Sequence, residues 1–498
     1  MDFTHKARFV AGGHMTDPPP TLTYSSVVSR DSVRIAFVLA ALNDLDLLAA
    51  DIGNAYLNAP AREKVYTTAG AEFGAEFEGR PVLIVRALYG LKSSGAAWRA
   101  HLANTLFTLG FRSSLADADV WYRPATKTTG FKYYEYILAY VDDILVLSEK
   151  PEIIMKNLGD IYRLKDGFAK PDQYLGPEVK EWRFPDDAVK VRWAMSSAQY
   201  VREAVKNAEA KAKDAGRQLY KSSSPMAADY FPELDCTPLL NHDKSNYFQS
   251  QISVLRWAVE LGRLDIYVDV ARLSSFLVHP RRGHLDAVFH IYGYLKHHDR
   301  STLVFDDSSI KWTENDFQSY DWTDFYQEAS EKIPPNAPEP RGNCVQINAF
   351  VDANHAGNKI TRRSHTGILI YLNKAPIIWY SKAQSTVETS TFGSEFIAMR
   401  IATELIESLR YKLRMFGIPI DGPANVMCDN NSVVTNASIP SSTLKKKHVA
   451  ICYHRVREAV ASGILRVAWI ETSQNLADMF TKSLTGNKLH ALCQKIFY

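Results

Sequence analysis

The spacing of apolar residues predicts a mixed α/β arrangement in the first part of the chain. Apolar positions recur with helical periodicity over Arg34–Ala50 and Ala97–Leu109, which predicts two helices. Two short apolar runs, Tyr136–Val141 and Ile144–Leu147, are separated only by a pair of aspartates. This pattern predicts a β-hairpin with the two aspartates at its turn.

The next stretch is predominantly helical, and an irregular segment follows it. Helical periodicity covers Ser197–Ala215, Tyr247–Val278 and Ile291–Lys296. The composition then changes near Asp306–Ser309, becomes acidic and aromatic, and ends in the proline-rich stretch Pro334–Pro340. Such a composition predicts a linker that buries little of its surface.

Strands and helices alternate after this predicted linker. In chain order, we predict strands at 345–351, 367–372 and 376–380, a helix near 388–416, a strand at 425–428, a helix near 447–461, a strand at 464–470 and a final helix from residue 475. This order is typical of a compact α/β domain. The predicted domains are therefore a mixed α/β unit (1–170), a more helical region (171–304), a linker (305–344) and an α/β domain (345–498).

Composition narrows the class of protein. The 498 residues allow about three or four domains, and 46% hydrophobic with 23% charged residues is ordinary globular usage. We find no run of about 18 uncharged apolar residues and no apolar signal-peptide core, so we expect an intracellular protein that is neither secreted nor membrane-spanning. The five cysteines lack C-x-x-C spacing and suggest neither a zinc site nor a disulfide framework. A formal charge of +3 leaves nucleic-acid binding to be argued from local patches.

The aspartates at the predicted hairpin turn suggest a metal site. Asp142 and Asp143 repel each other, and a two-residue turn prefers Asn-Gly or Asp-Gly. An ordinary solvated turn is one interpretation; a hard divalent cation that offsets the repulsion is the other. Asp51 ends an earlier apolar stretch, and a neighbouring strand could bring it beside the hairpin.

A second group of carboxylates lies in the C-terminal domain. Asp352 falls in a predicted strand, Glu395 on the long helix, Asp429 at a strand end and Asp478 at the start of the last helix. Singly, Asp429 is explained as a helix cap and Asp478 by a favourable position at a helix N-terminus. Converging on one sheet edge, the four would repel strongly unless divalent ions were bound.

Several motifs, in a consistent order, carry a resemblance to a known family. Tyr140–Asp143 is similar to the YxDD palm motif of reverse transcriptases, and Asp51–Tyr56 to their first palm motif. Leu88–Trp98 resembles the copia form LYGLKQxxxxW, and Lys6–Ala11 resembles its opening KARLVA. The four C-terminal carboxylates resemble the DEDD site of ribonuclease H. The chain thus resembles, over almost its whole length, the reverse transcriptase and ribonuclease H portion of a copia-type long-terminal-repeat retrotransposon polyprotein.

The resemblance implies an α/β and α+β multidomain fold, a right-hand polymerase of fingers, palm and thumb followed by a ribonuclease H-like domain. It implies RNA-directed DNA synthesis and cleavage of RNA in RNA–DNA hybrids, both by two-metal phosphoryl transfer with Mg²⁺, or alternatively Mn²⁺. The expected partners are an RNA template, a DNA primer, their hybrid and deoxynucleoside triphosphates. We expect a cytoplasmic particle or the nucleus as location, with a homo-oligomer or a longer polyprotein as context.

The resemblance also implies roles for individual residues. The catalytic metal ligands would be Asp51, Asp142, Asp143, Asp352, Glu395, Asp429 and Asp478. The nucleotide-binding residues would be Lys6, Arg8, Tyr56, Lys92 and Ser93, with Tyr56 excluding a ribose 2′-hydroxyl. The nucleic-acid-binding residues would be Tyr174, Gly176, Lys445, Lys447 and His448. Purely structural roles stay open for the same residues: a core aromatic for Tyr56, a helix cap for Ser93, a turn at Tyr174–Gly176 and a solvated face for the lysines.

Departures from the family pattern leave other functions open. Ser93 stands where the family has glutamine, and Gly95 where proline is common; the family also has further fingers strands upstream. We therefore expect weak polymerisation and a near-normal nuclease. The principal alternative is a weakened or inactive remnant that only binds nucleic acid. A third is a nuclease whose polymerase half serves as scaffold.

Overall fold

The computed structural model describes residues 9–19, 22–214, 216–227, 229–313, 316–444 and 447–498. The chain forms two compact units. The first comprises residues 1–36, 43–171 and 415–417, and the second comprises 37–42, 172–414 and 418–498. The division into four domains stays a prediction. Among the described residues, no helix has the length and apolar character needed to cross a membrane.

The first unit is built on a six-stranded antiparallel sheet with the order β4-β5-β6-β7-β1-β8. Its strands are β1 (Asp46–Ile52), β4 (Arg112–Ser113), β5 (Val120–Thr126), β6 (Lys132–Tyr140), β7 (Asp143–Ser148) and β8 (Leu164–Ala169). A separate hairpin is formed by β2 (Pro60–Thr68) and β3 (Pro81–Arg86). The helices of this unit are α2 (Ala55–Asn58), α3 (Ser94–Thr108) and α4 (Pro151–Gly159), and α1 (Arg30–Leu42) belongs to it up to residue 36 and to the second unit from residue 37. Trp98 and Leu102 of α3 share one buried apolar cluster with Ile137 and Val146 of the sheet.

The prediction of one helix over Arg34–Ala50 is wrong in its second half. Helix α1 ends at Leu42, Asp44 adopts a left-handed conformation with φ of 49°, and Asp46–Ile52 forms strand β1. This strand pairs with β7 on one side and β8 on the other. Sheet pairing on both sides therefore overrides the helical spacing of the apolar residues. The hairpin predicted from the next apolar runs is confirmed by the pairing of β6 with β7.

The first region of the second unit combines a small sheet with helices. The antiparallel sheet has the order β11-β10-β9, from β9 (Glu178–Phe184), β10 (Asp187–Ser196) and β11 (Thr302–Phe305). The helices are α5 (Ala198–Asp214), α6 (His242–Glu260), α7 (Tyr267–Leu273) and α8 (Arg282–His297). The predicted helix over Tyr247–Val278 is interrupted, because Gly262 adopts a φ of 110° between α6 and α7. The strands were not predicted.

The segment 306–344 has no α-helix or strand among its described residues. The expectation that it buries little is wrong, however. Asp306 and Asp307 are buried and pair with Arg192, with nitrogen–oxygen distances of 3.3 and 3.1 Å. Trp322 is buried, and Glu331 accepts charge-assisted hydrogen bonds from two arginines of the following domain. Specific polar and aromatic contacts, rather than regular structure, hold the segment in place.

The remaining part of the second unit is a five-stranded sheet with the order β14-β13-β12-β15-β16. Its strands are β12 (Ile347–Asn354), β13 (His365–Leu372), β14 (Ala375–Ala383), β15 (Ala424–Cys428) and β16 (Leu465–Trp469). Its helices are α9 (Thr391–Met415), α10 (Asn431–Ser438), α11 (Ala450–Ala461) and α12 (Gly486–Cys493). Strands β12, β15 and β16 run parallel, so their carboxyl ends lie at one edge. The final helix expected from Asn475 is replaced by a 3₁₀ helix, Leu476–Phe480, and then α12.

Candidate active sites

Strand pairing brings the three carboxylates of the first unit together. Asp51 near the end of β1 lies opposite Asp143 at the start of β7. The backbone N–H of Ile52 donates a hydrogen bond of 2.8 Å to the carbonyl of Asp142. The expectation that a neighbouring strand places Asp51 beside the hairpin is therefore confirmed.

The hairpin turn has a strained backbone and is held by a hydrogen bond from a side chain of α3. Tyr140 pairs with Asp143, so the turn residues are Val141 and Asp142, and the prediction of Asp142-Asp143 as the turn is wrong by one position. Val141 has a φ of 59°, a conformation that a β-branched residue rarely adopts and that costs about 1–3 kcal/mol. The buried Trp98 indole donates a hydrogen bond of 2.7 Å to the Val141 carbonyl. This contact fixes the turn that carries Asp142.

Negative charge accumulates at this hairpin. Burial, followed by the nearby Asp142 and Asp51 carboxylates, raises the pKa of Asp143 to about 6, although Lys165 opposes the shift. Lys165 lies 3.4 Å from a carboxylate oxygen of Asp51, and both side chains are more than a third exposed. Three carboxylates near one screened ammonium group form an oxygen-rich site that suits a hard cation such as Mg²⁺.

Tyr56 lies close to these carboxylates. Its ring packs against that of Tyr89 at a tilt of 34°, with ring centroids 4.8 Å apart. Burial, then Tyr89 and Asp142, raise the pKa of the Tyr56 phenol. Tyr56 is only partly buried, and its position beside Asp142 keeps the nucleotide-binding prediction open.

The neighbouring nucleotide-binding candidates have other partners. The buried Ser93 hydroxyl donates to the Glu63 carboxylate, and although Ser93 precedes α3 it makes no capping hydrogen bond. The exposed Lys92 ammonium donates to the Thr16 carbonyl at 2.7 Å. The predicted triphosphate contacts Lys6 and Arg8 lie outside the described residues.

The second carboxylate set gathers at the carboxyl edge of the parallel strands. Val351 of β12 lies beside Cys428 of β15, so Asp352 and Asp429, the next residues, reach the same edge. Helix α9 supplies Glu395, and the 3₁₀ helix supplies Asp478. Asp352, Glu395 and Asp478 are buried, with 5%, 7% and 1% of their surface exposed.

Burial and mutual repulsion dominate the electrostatics of this set. Burial, followed by the Asp478 charge, raises the pKa of Asp352 to about 7, although the Thr481 hydroxyl donates to Asp352 at 2.7 Å. Burial, then Asp352 and Asp429, raise the pKa of Glu395 well above its usual range. Such a buried excess of negative charge fits a divalent cation bound between the carboxylates.

Two lysines that were not predicted from the sequence neutralise Asp478. Burial opposes ionisation of Asp478, but hydrogen bonds from Lys482 and Lys488 hold its pKa below the usual value. The Lys482 ammonium lies 2.7 Å from one Asp478 oxygen, and Lys488 contacts the other. The i, i+4 spacing of Asp478 and Lys482 is a signal that could have revealed the first lysine. The position of Lys488 on α12 gives no comparable signal.

The residues predicted to contact nucleic acid differ in exposure and in their contacts. The exposed His448 ring contacts Glu388 at 3.0 Å. Lys447 begins a short 3₁₀ helix, and Lys445 lies outside the described residues. The Tyr174 side chain is buried, and Gly176 adopts a φ of 112°, which only glycine adopts without strain. These features favour a structural turn at Tyr174–Gly176.

A basic cleft of about 650 Å³ lies beside the second carboxylate set, between α7 and the five-stranded sheet. Its charged lining consists of Arg256, Arg272, Arg363, Lys382, Lys482, Glu233 and Glu260. Lys482 links the cleft to the carboxylates through its contact with Asp478. The excess of cations could accept an anionic polymer that reaches the carboxylates.

Comparisons with known proteins identify relatives of the chain. Residues 1–214 match the family described as "Reverse transcriptase (RNA-dependent DNA polymerase)". The retrovirus-related Pol polyprotein from transposon RE1 of Arabidopsis thaliana is 27% identical over 99% of this chain and 30% of its own length. The Pol polyprotein from transposon TNT 1-94 of Nicotiana tabacum is 26% identical over 95% of this chain and 32% of its own length.

Among solved structures, a foamy viral protease-reverse transcriptase in complex with RNA/DNA hybrid is 12% identical. The match covers 88% of this chain and 45% of that chain, with a TM-score of 0.43. The chain itself spans about a third of the length of the curated relatives named above.

Proposed function

Because residues 1–214 match the reverse transcriptase family and nearly the whole chain is similar to transposon Pol polyproteins, we propose that it synthesises DNA on an RNA template and cleaves RNA in the resulting hybrid. The observation that carries the polymerase half is the alignment of Asp51 with Asp143 across β1 and β7, with Asp142 on the adjoining strained turn. These side chains provide oxygen ligands at one point of the sheet.

In the polymerase site, Asp51 and Asp142 would be the principal ligands for Mg²⁺ or Mn²⁺, with Asp143 beside them. Divalent cations held there supply charge neutralisation and activation of a primer hydroxyl in phosphoryl transfer. Trp98 fixes the turn that positions Asp142, since its indole holds the Val141 carbonyl. Tyr56, packed against Tyr89, would lie against the sugar of an incoming deoxynucleoside triphosphate and exclude the 2′-hydroxyl.

In the nuclease site, Asp352, Glu395, Asp429 and Asp478 would hold the ions. The Thr481 hydroxyl orients Asp352, and the two lysines keep Asp478 ionised. The basic cleft beside this set supports a hybrid partner, because its arginines and lysines match the charge of a phosphate backbone. Deoxynucleoside triphosphates and RNA are intracellular substrates, so a cytoplasmic particle or the nucleus is the proposed location. Homo-oligomerisation and a polyprotein context stay predictions.

The test measures primer extension on an RNA template and cleavage of RNA in a hybrid with one preparation of the chain and added Mg²⁺. Asp142→Asn should abolish extension and retain cleavage, whereas Asp429→Asn should abolish cleavage and retain extension. Each variant is the other's control for folding. Binding of hybrid without either activity would instead identify a remnant that only binds nucleic acid, and cleavage without extension would identify a nuclease on a polymerase scaffold.

A further inference from the structure

Helix α7 contacts the end of the 3₁₀ helix that contributes to the nuclease site and the residues that follow it. The Tyr267 ring packs edge-on against Phe480, with ring centroids 6.2 Å apart. Further along α7, the Asp269 carboxylate accepts a hydrogen bond from the Ser483 hydroxyl. The oxygen of that hydroxyl accepts a hydrogen bond of 3.0 Å from the Arg272 guanidinium. Helix α7 thereby holds both ends of the short segment 480–483.

Asp269 is a buried carboxylate that belongs to neither of the two carboxylate sets. Its surface is 2% exposed, and burial raises its pKa to about 6. The Ser483 hydroxyl and the Arg272 guanidinium oppose this shift because both stabilise the ionised form. A hydrogen bond to an ionised group contributes about 1.5–3 kcal/mol. The contact is therefore strong enough to fix the position of Ser483 against α7.

Lys482 lies between two residues whose side chains are anchored. On one side, the Thr481 hydroxyl donates a hydrogen bond of 2.7 Å to Asp352. On the other side, the Ser483 hydroxyl is held by the charged groups of α7. The 3₁₀ helix ends two residues before Lys482, so this lysine lies beyond its regular hydrogen bonding. The two anchored neighbours therefore determine how the Lys482 ammonium meets the Asp478 carboxylate, 2.7 Å away.

We infer that Asp269 and Ser483 are positioning residues of the nuclease site, which hold Lys482 against Asp478 from helix α7. The inference rests on the proposed nuclease function, because the position of Lys482 matters to cleavage only if Asp478 takes part in it. Misplacement of an active-site group by about 1 Å can lower a rate on the order of a hundredfold. Cleavage of hybrid therefore depends on a helix that precedes the α/β domain in the chain.

Chemical labelling of lysines tests the positioning independently of cleavage. The full chain is treated briefly with acetic anhydride in chelator, and mass spectrometry measures the acetylation of Lys482 relative to the exposed Lys206 of α5. Ser483→Ala should raise the rate at Lys482 by about threefold or more, because its ammonium is then held less firmly by a charge-assisted hydrogen bond. Ser483→Thr keeps the hydroxyl and should restore the original rate. Ser274→Ala is the matched control, since its hydroxyl lines the same cleft but donates to the Val270 carbonyl.

A double-mutant cycle tests the link between Ser483 and cleavage. Lys482→Gln and Ser483→Ala should each lower kcat for cleavage of hybrid in Mg²⁺ by at least about tenfold. If Ser483 acts through Lys482, the double variant should be no slower than Lys482→Gln alone. A purely structural defect would instead add its loss to that of Lys482→Gln.

A second pair of variants guards against misfolding of Ser483→Ala. Asp269→Leu should fold, because an apolar side chain of similar shape is tolerated at a buried position, and it should match Ser483→Ala in labelling and in kcat. Asp269→Asn keeps an oxygen that accepts the Ser483 hydroxyl and should lose less than about threefold, since a neutral hydrogen bond replaces a charge-assisted one. Thermal midpoints show whether each variant is folded.

The two readouts separate the positioning role from the nuclease function. Unchanged acetylation of Lys482 in the folded variants Ser483→Ala and Asp269→Leu overturns the positioning role, and so does a double variant whose loss is the product of the two single losses. Faster acetylation in a chain that leaves hybrid uncleaved retains the placement of Lys482 by Ser483 and rejects the nuclease. Cleavage with unchanged acetylation does the reverse.

Discussion

The two carboxylate sets differ in how their negative charge is balanced. In the first, Asp51 and its nearest cation, Lys165, have 37% and 55% of their side-chain surface exposed. In the second, the Asp478 side chain is 1% exposed but contacts both Lys482 and Lys488. Water and dissolved ions screen the hairpin site, whereas the chain itself neutralises part of the buried site. A cluster of carboxylates is thus tolerated at an exposed site through screening by solvent and at a buried site through contacts with lysines.

The largest expected effect is the loss of one of the two activities when a carboxylate of the corresponding set is replaced. Asp142→Asn should lower primer extension at least about a hundredfold, because a metal ligand contributes several kcal/mol to the barrier. Its effect on hybrid cleavage should be small. Asp429→Asn should show the opposite pattern, measured as rates on the same preparation. Equal losses of both activities in either variant would contradict two separate sites.

Substitution of Tyr56 tests whether the hairpin site binds a nucleotide and selects its sugar. Tyr56→Ala should reduce discrimination against ribonucleotides by about tenfold, since one lost steric contact is worth on the order of 1–3 kcal/mol. Tyr56→Phe, which keeps the ring against Tyr89, is the matched control and should retain discrimination. The measurement is the ratio of kcat/KM for deoxynucleotides and ribonucleotides. If alanine lowers both values equally, the ring serves only to pack the core.

Much of this comparison was predictable from local patterns, and the parts that were not depend on tertiary contacts. Alternating apolar runs predicted the hairpin, but the register that pairs Tyr140 with Asp143 moved the turn to Val141. The four C-terminal carboxylates were predicted because their order resembles the DEDD site of ribonuclease H. Lys488 was missed because α12 brings it to Asp478 through folding rather than through sequence spacing.

The small sheet of the second unit shows the same limit. Strands β9 and β10 were missed because charged residues interrupt their apolar positions, and β11 was missed because it has only four residues. The pattern of apolar residues therefore locates many helices and strands, whereas strand pairing and packing decide which side chains come into contact.

The pH dependence of the free energy of unfolding should reflect the different burial of the two carboxylate sets. The pKa of Asp352 is raised from 3.8 to about 7, and that of Asp143 from 3.8 to about 6. Between the unfolded and folded values the folded chain binds more protons, so its stability falls as pH rises. Without divalent ions, we expect a loss of several kcal/mol, on the order of 4 kcal/mol from Asp352 alone, between about pH 4 and pH 7.

This loss is measured as the thermal midpoint in chelator across that pH range. Asp352→Asn should flatten the curve up to about pH 7, whereas Asp143→Asn should flatten it only up to about pH 6. Added Mg²⁺ should also flatten it by stabilising the ionised carboxylates. A stability that rises with pH in chelator would show that neither carboxylate has a raised pKa.

The smallest expected effect concerns the lysines that balance each set. Lys488→Gln should destabilise the second unit by about 1 kcal/mol, because it removes one ammonium from a buried carboxylate while Lys482 still contacts it. Lys488 is 40% exposed, which keeps the loss below that of a fully buried pair. Lys165→Gln is the matched control and should change stability by less than about 0.5 kcal/mol, since its pair with Asp51 is screened by water. Urea unfolding in chelator, at a pH above 7, measures both. Equal losses in the two variants would mean that the hairpin and the buried site balance their charge in the same way.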